Sequence, residues 1–272
     1  MISGAIRRPA VAGYFYPEDP AALRACVVEC AGEAVASEGA LAVVVPHGSY
    51  RQSGPVAGAA FSRVRIPRRC VILAPSHTPT WLPWSVMVAG VYRTPLGDVP
   101  VDAPCAEALR RRCPFLDADA WAQFGEHAVE VQLPFLQRFG PTDLTVVPIV
   151  IGSDDCAEFL QLAEALVQVI RMQEEHVLLI ASSDLSHYQP AARTEAQDRC
   201  LLDAICALEG PTLIQRVRED GIAMCGYGAV ATVLSAARGL GAVRGECVAY
   251  RTSADAGGDP DAAVGYAGVL IR

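Results

Sequence analysis

Three histidines of this chain fall just past the ends of apolar runs. His47 follows Leu41 to Val45, and His77 follows Val71 to Ala74. His187 closes the polar burst Ser182-Ser183-Asp184-Leu185-Ser186 after Val177 to Ala181. An imidazole is the commonest metal-ligating side chain and can also move protons near neutral pH. A lone histidine is an ordinary core or surface residue; three in the same place at the ends of three runs point to one metal or acid–base site. Asp184 lies three residues before His187, a spacing that puts both on one side of a helical turn. Asp184 then ligates a metal, orients another group, or is simply an N-cap or turn residue. His127 stands in Glu126-His127-x-x-Glu130, which looks like half of a di-iron helix motif. The plainer reading is a polar helix start with Glu130 exposed. Cys225, in Met224-Cys225-Gly226-Tyr227-Gly228, directly precedes a predicted helix, where the dipole and free N–H groups favour a thiolate. It also reads as a buried, inert cysteine. Its flanking glycines argue for a close approach of chain segments there. His176 comes before its strand and is assigned no role.

Those residues need a scaffold that brings them together. A short unbroken apolar run is the pattern of a strand buried on both faces, and open α/β sheets bind ligands off the carboxyl ends of their strands. If strands 41–45, 70–74 and 177–181 lie parallel, their histidines meet on one rim. Residues 1–19 read as an extended arm, and Pro20 starts a helix to about Glu33. An Ala/Gly-rich helix is expected near 56–63, with Gly54, Gly58 and Ala59 packed on the sheet. His77 sits in a tight loop between Pro75-Ser76 and Thr78-Pro79. Residues 81–101 read as two short, antiparallel edge strands around a Pro-Leu-Gly-Asp turn. Helices follow at 103–113 and at Glu126 to Phe139, where Pro134 kinks or splits the second. A buried strand covers 144–151, and Asp154-Asp155 caps a helix to about Gln173. Helices near 191–208, 211–219 and 229–238 precede strands near 246–251 and 264–271, with a Gly/Asp-rich loop at 253–261. No repeat or linker divides the chain. The expectation is a single α/β domain over 1–272, with a mostly parallel central sheet flanked by helices.

Composition narrows the function classes. The chain has 272 residues, of which 52% are hydrophobic, enough for a full core. No apolar run nears the roughly 18 residues of a membrane span, and the N-terminus lacks an apolar signal-peptide core; a cytoplasmic protein is expected. A net charge of −8 argues against a nucleic-acid footprint. All 22 basic residues are arginine, which excludes lysine-based Schiff-base or P-loop chemistry. None of the ten cysteines forms a CxxC pair, so zinc-ribbon and thioredoxin-type motifs are not expected. Cys26, Cys30, Cys70, Cys105, Cys113, Cys156, Cys200 and Cys206 read as reduced small hydrophobes.

The chain resembles the Memo-like family, whose bacterial and archaeal members are called AmmeMemoRadiSam system protein B. The motifs that carry the resemblance are RRPAVAGYFYP at 7–17, VPHGSYRQSG at 45–54, LAPSH at 73–77, YRTPLGDVPVD at 92–102, EHAVEVQLPF at 126–135, VVPIVIG at 146–152, ASSDLSHY at 181–188 and CGYGA at 225–229. One departure is visible: the family's first histidine loop usually reads His-Ala-Gly-Tyr, and here it is His47-Gly48-Ser49-Tyr50. The family looks like a relative of the class III extradiol ring-cleaving dioxygenases, which implies a LigB-like fold. It also implies His47 and His77 as metal ligands with Cys225 as the third. Asp184 and His187 then take the supporting or acid–base positions, and His127 lines the pocket as a further catalytic candidate. Iron(II) or copper is implied as cofactor, with zinc also compatible, because a thiolate in place of the carboxylate of a facial triad softens the site.

The expected function is therefore that of a metal-dependent redox enzyme or dioxygenase-like protein. One alternative is a non-catalytic module that reuses the pocket for a small-molecule, peptide or phosphotyrosine-peptide ligand. Another is a hydrolase with Cys225 as nucleophile, His187 as base and Asp184 as orienter. The resemblance also suggests a pathway shared with an AMMECR1-like protein and a radical SAM protein.

Overall fold

Strand runs with no polar face need cover on both sides, and the chain meets that demand with one large sheet between two helical layers. The computed structural model describes residues 5–32, 36–78 and 82–272. In order the elements are β1 (Ile6–Arg7), α1 (Pro20–Ala31), β2 (Ala42–Val45), α2 (Gly54–Phe61), β3 (Arg69–Pro75), β4 (Trp84–Val86), β5 (Val91–Thr94), β6 (Gly97–Pro100), α3 (Ala103–Arg110), α4 (Leu133–Phe139), β7 (Thr145–Ile151), α5 (Cys156–Arg171), β8 (Val177–Ser182), β9 (His187–Gln189), α6 (Ala191–Cys206), α7 (Gly210–Glu219), α8 (Tyr227–Leu240), β10 (Gly245–Thr252) and β11 (Ala263–Ile271). The main sheet runs β10-β11-β2-β8-β3-β7-β4, with β9 paired to β11.

The strands that end near the histidines are neighbours. β2 pairs parallel with β8 and β8 parallel with β3, in the registers Ala42↔Leu179 and Cys70↔Leu178. Their carboxyl ends therefore open at one rim. Alternate residues feed two cores: Val44, Leu73 and Leu179 face α5, α6 and α8, whereas Val43, Ile72 and Ile180 face α1, α2 and α4. Each fully buried Val, Leu or Ile contributes on the order of 1.5–3 kcal/mol of transfer free energy. Asp19 caps α1, accepting from Ala21 and Ala22 N–H, and Asp155 caps α5, accepting from Ala157 N–H.

Several expectations need correction. The sheet is mixed rather than mostly parallel: β11 runs antiparallel to β2, β9 and β10, and β4 antiparallel to β7. β10 and β11 are joined by a short connection with no crossover helix, which permits only an antiparallel pair. The helix expected over Glu126 to Phe139 is broken, as Pro134 allowed, but its α-helical part starts later than expected. Pro134 lacks an N–H and its ring would clash with the carbonyl four residues back, so α4 starts only at Leu133 and residues 130–132 form a single 3-10 turn. The segment expected to give two edge strands gives three: β4 edges the main sheet, and the β5–β6 hairpin joins β1 in a second, three-stranded sheet. Gly54 and Gly58 press on Cys30 of α1 rather than on the sheet. Cys200, read as a small hydrophobe, is exposed. The described part of α1 ends at Ala31; Glu33, proposed as its end, and Pro79 of the His77 loop lie outside the described residues. Among the described residues no helix is long and apolar enough to cross a membrane.

Candidate metal centre

His47 stands two residues beyond β2, His77 two beyond β3, and Cys225 two before α8. One ligand atom from each lies within 4.8 Å of the others, so the three form a group that could hold a metal ion. Cys225 Sγ is 3.2 Å from His47 Nε2. What lets the thiol come so close is Gly226: a Cβ there would sit 2.5 Å from Ser183 Cβ and 2.6 Å from Ser182 O. Any other residue would push the start of α8 away from the end of β8. The close approach expected from the glycine-flanked cysteine is thus present.

Each imidazole is held from behind. His47 Nδ1 lies 2.9 Å from Ser182 Oγ, and its backbone N–H donates to Asp184 Oδ1 at 2.8 Å. His77 Nδ1 lies 3.0 Å from Glu126 Oε1, and the His77 backbone N–H donates to Glu126 Oε2. Glu126 also accepts from Ala128 N–H at 2.8 Å. The set His77, Glu126 and His127 is a second group of clustered ligand atoms, but the Glu126 oxygens are already engaged by these donors. Glu126 thus acts as a bracket for His77. Burial works to raise its carboxyl pKa, but the hydrogen bonds and charge of His77 outweigh it and hold the group down at about 2. Burial likewise pulls His77 down, and Glu126 overrides it, so His77 ends above the ordinary value. Fully buried His47 is lowered to about 4, chiefly by burial against the opposing pull of Asp184.

Asp184 and His187 do not share a helical turn. Asp184 is in the loop after β8 and His187 opens β9. The turn brings them together nonetheless: Asp184 Oδ2 is 3.9 Å from His187 Nε2 and 4.0 Å from His47 Nε2. His187 Nδ1 faces two carbonyls, Leu185 O at 2.9 Å and Ala223 O at 2.8 Å. Both only accept, so Nδ1 carries a proton and Nε2 faces the pocket. His127 is there too, its ring 4.7 Å from that of His77 and 5.5 Å from that of His47. The resulting cleft of about 590 Å³ is lined by all four imidazoles, Asp184, Tyr14, Phe15, Tyr188 and Tyr266. His176 lies elsewhere, bonded to Ala40 O. The imidazole beside the Cys225 sulfur is that of His47, so the arrangement does not assemble the Asp184–His187–Cys225 relay of a cysteine hydrolase. Nor is the thiol pKa lowered by its place before a helix: burial, then the charge of Asp184, pushes it well above the ordinary value.

Sequence reading misplaced a second bracing carboxylate, Glu130, and did not single out a third, Asp198. Glu130, expected to be exposed, is fully buried and paired with Arg7. It also accepts from the backbone N–H of Ala10 and Val11 and from the Tyr16 hydroxyl. One carboxylate thereby pins the arm 7–16, which packs Phe15 edge-on against His127 at 4.9 Å. Asp198 of α6 does a similar job for the His187 loop, accepting from Ser186 N–H at 2.9 Å and from Tyr250 OH at 2.8 Å. A Cβ at Gly265 would fall 1.7 Å from Asp198 Oδ2. Gly265→Ala is expected to cost about 1–3 kcal/mol through this overlap, read as a lower midpoint in thermal unfolding.

A mixed α/β sheet with two imidazoles and a thiol gathered at one rim defines a class of protein: an α/β scaffold carrying a possible metal-binding group. The chain belongs to the Memo-like family, whose model matches residues 7–270. It is 40% identical over 268 residues to a MEMO1 family protein of Methanococcoides burtonii, covering 98% of this chain and 100% of that one. A MEMO1 family protein of Methanopyrus kandleri is 36% identical over 279 residues, covering 98% and 99%. One of Aquifex aeolicus is 34% identical over 267 residues, also covering 98% and 99%. Among solved structures, an uncharacterized protein of Escherichia coli K12 shares the fold with a TM-score of 0.55 at 17% identity, covering 85% of this chain and 99% of that one.

Proposed function

We propose that the chain is a metal-dependent redox enzyme of the extradiol-dioxygenase-like kind, with His47, His77 and Cys225 as the protein ligands of a non-haem metal. The observation that carries this reading is the meeting of three ligand atoms from three distant segments within 4.8 Å. The donor set fits such an ion. Two imidazoles backed by hydrogen-bonding partners and one half-buried thiol make a soft, three-ligand site with room for an exogenous group on the cleft side. Copper(I), zinc and iron(II) all suit it. When bound, the ion would supply Lewis acidity and, for iron or copper, one-electron chemistry at the cleft floor.

The chain's own residues would do the rest. His187 presents Nε2 to the cleft while its Nδ1 proton is held by two carbonyls, which suits it to proton transfer with a bound ligand. Asp184 sits within about 4 Å of both His187 and His47 and would steady a positive charge arising on either ring. His127 and Phe15 pack edge-on against each other on one wall of the cleft.

Metal analysis of protein purified without chelators tests the reading. Wild type should carry near-stoichiometric metal, and a His47→Ala/His77→Ala double variant should carry little. Equal content in both would end it. Oxygen uptake by the metal-replete protein with catechols tests the ring-cleavage part separately.

A further inference from the structure

To serve as ligands through Nε2, both imidazoles must carry their proton on Nδ1. For His77 the carboxylate of Glu126 settles the point, because it can only accept. For His47 the neighbour at Nδ1 is the hydroxyl of Ser182, which can donate or accept. We propose that Ser182 and Gln132 are positioning residues that hold neutral His47 as the Nδ1–H form, with the Nε2 lone pair turned toward Cys225. The metal reading above gives this its functional meaning, but the tautomer itself belongs to the metal-free protein.

Gln132 Nε2 lies 2.9 Å from Pro46 O and 2.9 Å from Ser182 Oγ. A carbonyl cannot donate, so Pro46 fixes which end of the amide is nitrogen; a flipped amide would set oxygen against oxygen. Gln132 therefore donates to Ser182. The Ser182 hydroxyl lies 2.7 Å from Ala128 O, another pure acceptor, and among the described residues Ser182 is the donor that reaches that carbonyl. Its single hydrogen is thereby used. What remains on the Ser182 oxygen is a lone pair, directed at His47 Nδ1 at 2.9 Å. Nδ1 must then be the donor, and Nε2 keeps its lone pair.

The network has a cost that a packing residue would not carry. Gln132 is fully buried, and its Oε1 has no partner among the described residues. An apolar residue would avoid leaving that oxygen unpaired. At this position the amide supplies two donors, to Pro46 O and Ser182 Oγ, that an apolar residue could not. Residues 126–132 thus do three things within seven positions: Glu126 brackets His77, Ala128 O and Gln132 orient Ser182 behind His47, and Glu130 pins the arm.

The test reads the tautomer and the metal affinity separately. In protein labelled with 15N-histidine, near neutral pH and without metal, His47 is assigned by the signals missing from a His47→Gln protein. Wild type should show His47 Nδ1 protonated and Nε2 bare. Ser182→Ala should move the proton toward Nε2, where it can donate to the Cys225 sulfur, and Ser182→Thr, which keeps the hydroxyl, should restore the wild-type pattern. Zinc affinity by chelator competition should fall about 10- to 100-fold in Ser182→Ala and recover in Ser182→Thr. A wild-type His47 with its proton on Nε2, or an unchanged tautomer in Ser182→Ala, overturns the proposal. A changed tautomer with unchanged zinc affinity overturns its role toward the metal. Should wild type bind no zinc while the tautomers behave as described, the positioning role stands and the metal reading falls. If Ser182→Ala does not fold, the wild-type spectrum decides alone.

Discussion

Glu130→Ala should lower the stability of the fold by about 3–5 kcal/mol, the loss that follows when one partner of a buried ion pair is removed and the other charge stays behind. Arg7 is the charge left over. Its guanidinium is fully buried and otherwise bonds to Gln123 O, Arg8 O and Glu126 O. Carbonyls can share its protons but cannot neutralise it. Each kcal/mol is worth about 2–4 °C of melting temperature in chains of roughly 150–250 residues, so a drop on the order of 10 °C is expected in a thermal scan. The arm should also come loose, because Ala10, Val11 and Tyr16 lose the same acceptor. Limited proteolysis should then cut near exposed Tyr14 in the variant and spare the wild type. Replacing both charges, as Arg7→Met/Glu130→Leu, should recover much of the stability. A single variant that melts with wild type would show that the pair does not carry the arm.

The second large effect concerns Cys225. Its thiol is pushed up by burial and by Asp184, so it keeps its proton throughout the neutral range in the metal-free protein. That proton must leave for the sulfur to act as a ligand. Metal affinity should therefore rise with pH, about tenfold per unit for one released proton. His47, held at about 4 by burial, is already neutral there and adds no slope. His77, raised by Glu126 over the opposing effect of burial, adds a second proton toward the acid end, so the dependence should steepen as pH falls. In Cys225→Ser the neutral-range slope should flatten. The affinity should drop by more than the roughly 10- to 100-fold that loss of a supporting hydrogen bond costs. Chelator competition with zinc across pH checks both; the same slope in wild type and variant would remove Cys225 from the ligand set.

The parts of the site legible in the sequence were those announced by local pattern. Three short apolar runs matched the pattern of strands buried on both faces, and the histidine just past each of those three marked the place where they would meet if the strands lay parallel. The glycines around Cys225 signalled crowding, which turned out to be the Ser182–Ser183 turn. Glu126 and Glu130 were visible but misread. Their partners, His77, Arg7 and Tyr16, lie 49 to 123 residues away, and nothing in Glu-His-Ala-Val-Glu-Val-Gln tells a solvated helix face from a buried bracket. The usable signal was Pro134, which forbids a continuous helix through that stretch and so leaves its carboxylates free to point inward. The sheet was expected to be mostly parallel because an apolar run has no direction written in it; for β11 only its short connection to β10 supplies one.

The placement of β11 also bears on biosynthesis. Residues 263–271 fill the slot between β2 and β10, more than two hundred positions after β2 is made. Until they emerge from the ribosome, a nascent chain carries β2 with one unsatisfied edge, next to the loop that bears His47. Such an edge invites pairing with other chains. Truncated or stalled translation products of this protein should accordingly be clients of chaperones, and their aggregation should begin at the strand that leads into the histidine-lined cleft.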